Sequence, residues 1–148
     1  MYKQILAALD DSPRAPEVLR HAAGLAAFSG ARLHLCHAVN VPLGLPADAW
    51  MLSFDDLQTR LLDHARHSLA RLVEQLHPPA TPIHWGDHVA RIGRPAQIII
   101  ELAEELAVDL LVLGSHGYGP VERLLGTTAA RVVNSASVSV LVVRPPLG

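Results

Sequence analysis

Two short, continuously apolar runs constrain this chain most: residues 5–9 (Ile-Leu-Ala-Ala-Leu) and 110–113 (Leu-Leu-Val-Leu). A half-buried strand alternates apolar and polar residues. A strand covered on both faces does not, because successive side chains both meet a hydrophobic layer. Each run therefore reads as a central strand of a parallel sheet with helices above and below. Three further strand-like runs lie at 33–39, 83–89 and 138–143.

Four segments of helical periodicity separate these runs. The first carries Val18, Ala22, Leu25 and Ala26; the second, over 54–77, carries Leu57, Leu61, Leu62, Ala65, Leu69, Leu72, Val73 and Leu76. The third carries Ile98, Ile99, Leu102 and Leu106, and the fourth runs from Glu122 or Gly126 to Ser135. Local signals punctuate them. In Asp10-Asp11-Ser12-Pro13, Ser12 reads as a cap and Pro13 as a first-turn residue. Gly30 closes the first helix, Pro78-Pro79 the second, and Gly93-Arg94-Pro95 opens the third. Residues 41–46 have the composition of a loop.

Strands joined through helices make right-handed crossovers and a parallel sheet. The expected architecture is α/β and Rossmann-like: one domain over 1–148, an open five-stranded parallel sheet of order 3-2-1-4-5, helices on both faces. That order centres the two most apolar strands and leaves 83–89, which contains polar residues, at an edge. The order in which strands are added reverses between the first and fourth strands, which opens a crevice at their carboxyl ends. Run 138–143 (Val-Ser-Val-Leu-Val-Val) is apolar yet falls at the other edge. Bare apolar edges invite pairing, so a homodimer joined there is expected.

Composition removes several classes. A net charge of -2 with no basic stripe speaks against nucleic acid as a partner. No apolar run approaches the roughly 20 residues of a membrane helix, and residues 1–5 lack a signal-peptide layout. Cys36 is the single cysteine, so no intramolecular disulfide can form. The expectation is a cytoplasmic protein without membrane association. Of 9 histidines, His64 and His67, and His84 and His88, have suggestive spacings but no third ligand at zinc spacing, so no metal site is assigned.

The chemistry concentrates after the fourth strand. There Gly114-Ser115-His116-Gly117 leads toward Gly126-Thr127. Glycines let an anion approach the backbone, and a helix start adds partial positive charge. This is an anion cradle where open α/β sheets bind ligands, with Asp10 facing Gly114 across the crevice. Asp10 ends a central strand and suits a ligand role. His116, inside the loop, is placed to contact a nucleotide or to tune the site with pH. No P-loop is present, and Lys3 is the only lysine. Hydrolysis beyond a slow ATPase rate is not expected.

These residues resemble the universal stress protein family along nearly the whole chain. The resemblance rests on Tyr2-Lys3-Gln4-Ile5-Leu6 with Asp10 and Ser12, on Gly93-Arg94-Pro95, on Leu111-Val112-Leu113-Gly114-Ser115-His116-Gly117, and on Val140-Leu141-Val142-Val143. It implies a five-stranded α/β dimer linked to stress tolerance and signalling. One branch of that family binds ATP, with magnesium or manganese on the phosphates, through G-x2-G-x9-G-[S/T]; the other binds no nucleotide. Here Gly114 and Gly117 match, and Gly126-Thr127 follows one residue early, a shortening that the loop around 118–120 can absorb. Position by position, the resemblance places Asp10 near adenine or ribose and the Ala38 backbone at the adenine edge. It puts Gly114 and Gly117 along the ribose and first phosphates, and Gly126, Thr127 and Thr128 at the terminal phosphates. A nucleotide-free dimeric scaffold is the alternative it allows.

Overall fold

The computed structural model describes residues 1–40, 54–115 and 124–145. In chain order the elements are β1 (Gln4–Ala8), α1 (Ala15–Ser29), β2 (Arg32–Val39), α2 (Phe54–Gln75), β3 (His84–Ile92), α3 (Pro95–Glu105), β4 (Leu110–Gly114), α4 (Thr127–Ser135) and β5 (Ser139–Val143). The strands form one sheet of order β3-β2-β1-β4-β5, and every pairing is parallel. The architecture expected from the apolar runs is the one observed.

Alternation along the central strands divides the core into two layers. Ile5 and Ala7 of β1, Leu33 and Leu35 of β2, and Leu110 and Val112 of β4 pack with Val18, Leu19, Ala22 and Ala26 of α1 and Leu69 of α2. The intervening residues, Leu6, Cys36, Leu111 and Leu113, pack with Ile98, Ile99 and Leu102 of α3 and with Ala129 and Val132 of α4. Hence residues 5–8 of β1 and 110–113 of β4 carry no polar side chain: each of these positions faces a helix layer.

Several boundaries depart from the sequence expectation. α1 begins at Ala15, with Arg14 in the N-cap position, no side-chain cap and Pro16 in its first turn. Ser12 does not cap the helix. Its hydroxyl accepts the Arg14 N–H at 3.3 Å, within the turn ahead of the helix. Asp10 accepts the Ser12 N–H at 2.9 Å, so two consecutive side-chain turns bring the chain out of β1. At the far end Gly30 adopts φ 70 and closes α1.

Strand β3 begins later and runs longer than 83–89, reaching Ile92. Its pairing with β2 slips between Leu33 and Leu35, where Gly86 and Asp87 together oppose His34. The apolar stripe of α2 is only partly covered: Ala65 and Leu69 are buried, whereas Leu57, Leu61, Leu72 and Leu76 are half-exposed. α4 starts at Thr127 with Gly126 as N-cap; the alternative start at Glu122, like loop 41–46, lies outside the described residues.

Candidate functional site

A cleft of about 420 Å³ opens at the carboxyl ends of β1 and β4. Its walls come from Leu9, Asp10, Ser12 and Arg14 after β1, Ala38 of β2, Gly114 and Ser115 at the end of β4, and Gly126, Thr127 and Thr128 at the start of α4. Pro95 and Ile99 of α3 complete it. Six of the eight residues expected at a ligand site, Asp10, Ala38, Gly114, Gly126, Thr127 and Thr128, thus line one cavity. The other two, His116 and Gly117, lie outside the described residues.

The chain reaches the cleft through short backbone links. The Ser115 N–H donates to the Val143 carbonyl at 2.9 Å, which extends the β4–β5 ladder by one rung. The Gly126 N–H donates to the Ser115 carbonyl at 2.8 Å. The residue that leaves β4 and the residue that caps α4 are therefore joined directly, although eleven positions apart in sequence. Ser115 is 1% exposed, so this link is sheltered from competing water. On the other wall, the Leu9 N–H donates to the Cys36 carbonyl at 2.8 Å and holds the exit of β1 against β2.

Electrostatics follow from these elements. α4 begins without a side-chain cap and without an acid in its first turn. Its first N–H groups have no intrahelical acceptor, and the helix dipole adds to their partial positive charge. Side chains that bear a full charge are few among the described lining residues: Asp10 and Arg14. One Asp10 oxygen is engaged by the Ser12 N–H. The rest of the wall is apolar or small: Ala8, Leu9, Val18, Ile99, Leu113. Flat apolar walls with a few convergent polar groups are the usual make-up of a small-molecule pocket, and the volume lies within the normal range of roughly 300–1,000 Å³.

Sequence reasoning missed Arg14 and Ser115. Arg14 was adjacent to a recognised motif and Ser115 lay within one, but Asp10-Asp11-Ser12-Pro13 pointed to a helix start ahead of Arg14. The opposing signal was Pro16, which suits the first turn of a helix beginning at Ala15.

The described histidines include both buried and surface residues. His34 is buried and bonded to its surroundings. His64 lies 3.4 Å from Asp11, outside the cleft, while Ser68 donates to the other Asp11 oxygen at 2.6 Å. No group of three or more His, Cys, Asp or Glu side chains among the described residues is arranged to hold a metal ion. No helix among them is long and apolar enough to cross a membrane.

Comparison with known proteins agrees with the fold. A universal stress protein A homolog of Coxiella burnetii is 34% identical over 143 residues, covering 96% of each chain. The structure of the universal stress protein UspA from Lactobacillus plantarum superposes with a TM-score of 0.74 at 25% identity, covering 97% of this chain and 98% of that one. A universal stress protein in complex with cAMP superposes at 0.60 with 24% identity, over 97% of both chains. The family model for universal stress proteins matches residues 1–144, and the chain belongs to that family.

Proposed function

We propose that the cleft binds an adenine nucleotide, with ATP as the physiological occupant, and that the protein acts as a nucleotide-dependent regulator in the stress response. The observation that carries this reading is the convergence of Asp10, Ala38 and the uncapped Gly126-Thr127 start of α4 on one cavity of nucleotide size. In this reading Asp10 accepts a hydrogen bond from the base or the ribose, and the Ala38 backbone meets the adenine edge. The N–H groups and hydroxyls of Thr127 and Thr128 receive the phosphates, and Gly114 gives the backbone room to approach them. His116 and Gly117 complete the loop side.

A divalent ion fits this site in one way only. Asp10 is the one carboxylate among the described lining residues, so magnesium or manganese would be held chiefly by the phosphates it accompanies. The chemistry it would supply is charge neutralisation of the triphosphate. The residues of this chain bind and orient; none of the described lining residues offers a base beside the phosphate end. The protein is therefore read as a binding module, with hydrolysis slow at most.

The assembly proposed is a homodimer in the cytoplasm. β5 occupies the sheet edge with Val140, Leu141 and Val142 only half-buried. A second copy paired along that edge would cover it, and light scattering behind size-exclusion chromatography measures the mass directly.

The decisive experiment denatures freshly purified protein and identifies the released small molecules by mass spectrometry, alongside calorimetric titration with ATP and magnesium. ATP or ADP in the supernatant and a saturable heat are expected. Absence of both leaves the nucleotide-free dimeric scaffold as the reading.

A further inference from the structure

We infer that Arg14 sets the ligand class of the cleft, selecting a linear terminal phosphate ester over a cyclic phosphodiester or an uncharged nucleoside. The inference rests on the nucleotide reading above and specifies which nucleotides it admits.

Arg14 is the one cationic residue among the described residues that line the cleft. Its backbone is fixed rather than free to drift. Its N–H donates to the Ser12 hydroxyl at 3.3 Å, and its carbonyl accepts the N–H groups of Glu17 and Val18 at 3.1 and 3.2 Å. Ser12, the residue that anchors it, is 5% exposed. The turn is thus pinned at both ends, and Arg14 enters the cavity wall half-buried, where solvent screens its charge less than at an open surface. Across the same cavity stands the uncapped start of α4. The two features differ in kind. The α4 amides present partial charges suited to any phosphate oxygen, whereas a guanidinium carries a full charge and a planar fork.

That difference generates selectivity. A linear phosphate monoester has a second ionisation near ~6 and carries close to two negative charges at neutral pH, with three terminal oxygens. A cyclic phosphodiester carries one charge and no terminal oxygen triad. A nucleoside carries none. The guanidinium fork can engage two oxygens of either phosphate, but the monoester adds a second charge and a third terminal oxygen, and the nucleoside offers neither.

The test titrates full-length protein by calorimetry with adenosine, cyclic AMP, AMP and ATP in low salt. Wild-type protein is expected to bind AMP roughly tenfold or more tightly than adenosine, the scale of one charge-assisted bidentate contact, and to bind cyclic AMP more weakly than AMP because it carries one charge fewer. In Arg14→Gln the AMP-to-adenosine affinity ratio falls at least tenfold, and Arg14→Lys, which keeps the charge but loses the fork, restores part of it. A measurement that needs no variant runs in parallel: raising the salt concentration tenfold weakens AMP but leaves adenosine within a factor of two. An unchanged AMP-to-adenosine ratio in Arg14→Gln, or a salt response equal for both ligands, overturns the role of Arg14 while leaving nucleotide binding intact. Failure of wild-type protein to bind any of the four overturns both readings.

Discussion

The imidazole of His34 takes the place of a ladder rung for Asp87. Its Nδ1 accepts the Asp87 N–H at 2.9 Å, and its Nε2 lies 2.8 Å from the Gln4 side-chain oxygen. Since Nδ1 is an acceptor, the proton resides on Nε2, which donates to Gln4. A neutral ring thus bridges β1 and β3 across β2, at the point where the β2–β3 register slips. Gly86 makes room for it: a Cβ there would sit 2.3 Å from the His34 Nδ1.

Gly86→Ala is therefore expected to destabilise the fold by about 1–3 kcal/mol, the usual scale of overpacking against a fixed side chain. Urea unfolding measures it. The same substitution in a His34→Ala background should cost much less, because the obstructing ring is gone. Additive losses would show that the ring and the glycine are not coupled.

Acid should weaken the same region. Burial lowers the His34 pKa below its ordinary value of 6.5; the Asp87 carboxylate opposes this, and Arg32 and His88 add to the lowering. Burial lowers His88 as well, again against Asp87. The unfolded chain then binds protons that the folded chain refuses. The stability these rings contribute is full above the unfolded value and is lost as pH falls through their folded values. The urea midpoint should drop as pH is lowered from about 7 to about 5, and His34→Gln should flatten that slope. An identical slope in the variant would assign the pH response to other groups.

Cys36 should be inert in the native protein. Burial pushes its thiol up to about 12, so almost no thiolate exists near neutrality. Aromatic disulfide reagents are expected to label it at the rate of global unfolding, and in full once urea is added. Rapid stoichiometric labelling without denaturant would contradict the packing of β2 against α3.

Ala107 carries a φ of 52 where α3 ends, a conformation that costs an L-residue roughly 1–2 kcal/mol and glycine almost nothing. Glycine gives back part of that through its freer unfolded state. Ala107→Gly should raise stability by about 0.5–1 kcal/mol, visible as a higher melting temperature. The side chain is exposed, so little packing is lost.

Gly126→Val should weaken ATP binding by an order of magnitude or more without unfolding the protein. Gly126 caps α4 with an extended backbone, φ -63 and ψ 166, which valine can adopt, so the damage would come from branched methyl groups beside the phosphates. Unchanged calorimetric affinity would remove the start of α4 from the site.

The apolar runs, the helical stripes and their alternation determined the sheet, its strand order and the position of the crevice. Local burial demands dictate each of these: a strand with two apolar faces has few places to go. Sequence also marked Asp10, Gly114 and the Gly126-Thr127 pair, because glycines and helix starts at strand ends act through the backbone nearby, whereas Ala38 and Thr128 were marked by the family resemblance alone.

What the chain alone left open depends on contacts between segments remote in sequence. The register slip opposite His34 arises because a ring from β2 fills space beside Gly86 and supplies the acceptor that Asp87 would otherwise seek in the ladder. Arg14 belongs to the cleft because two side-chain turns postpone α1 until Ala15. Short-range propensity cannot encode either outcome: each is decided by which remote atoms arrive within hydrogen-bonding reach once the layers have packed.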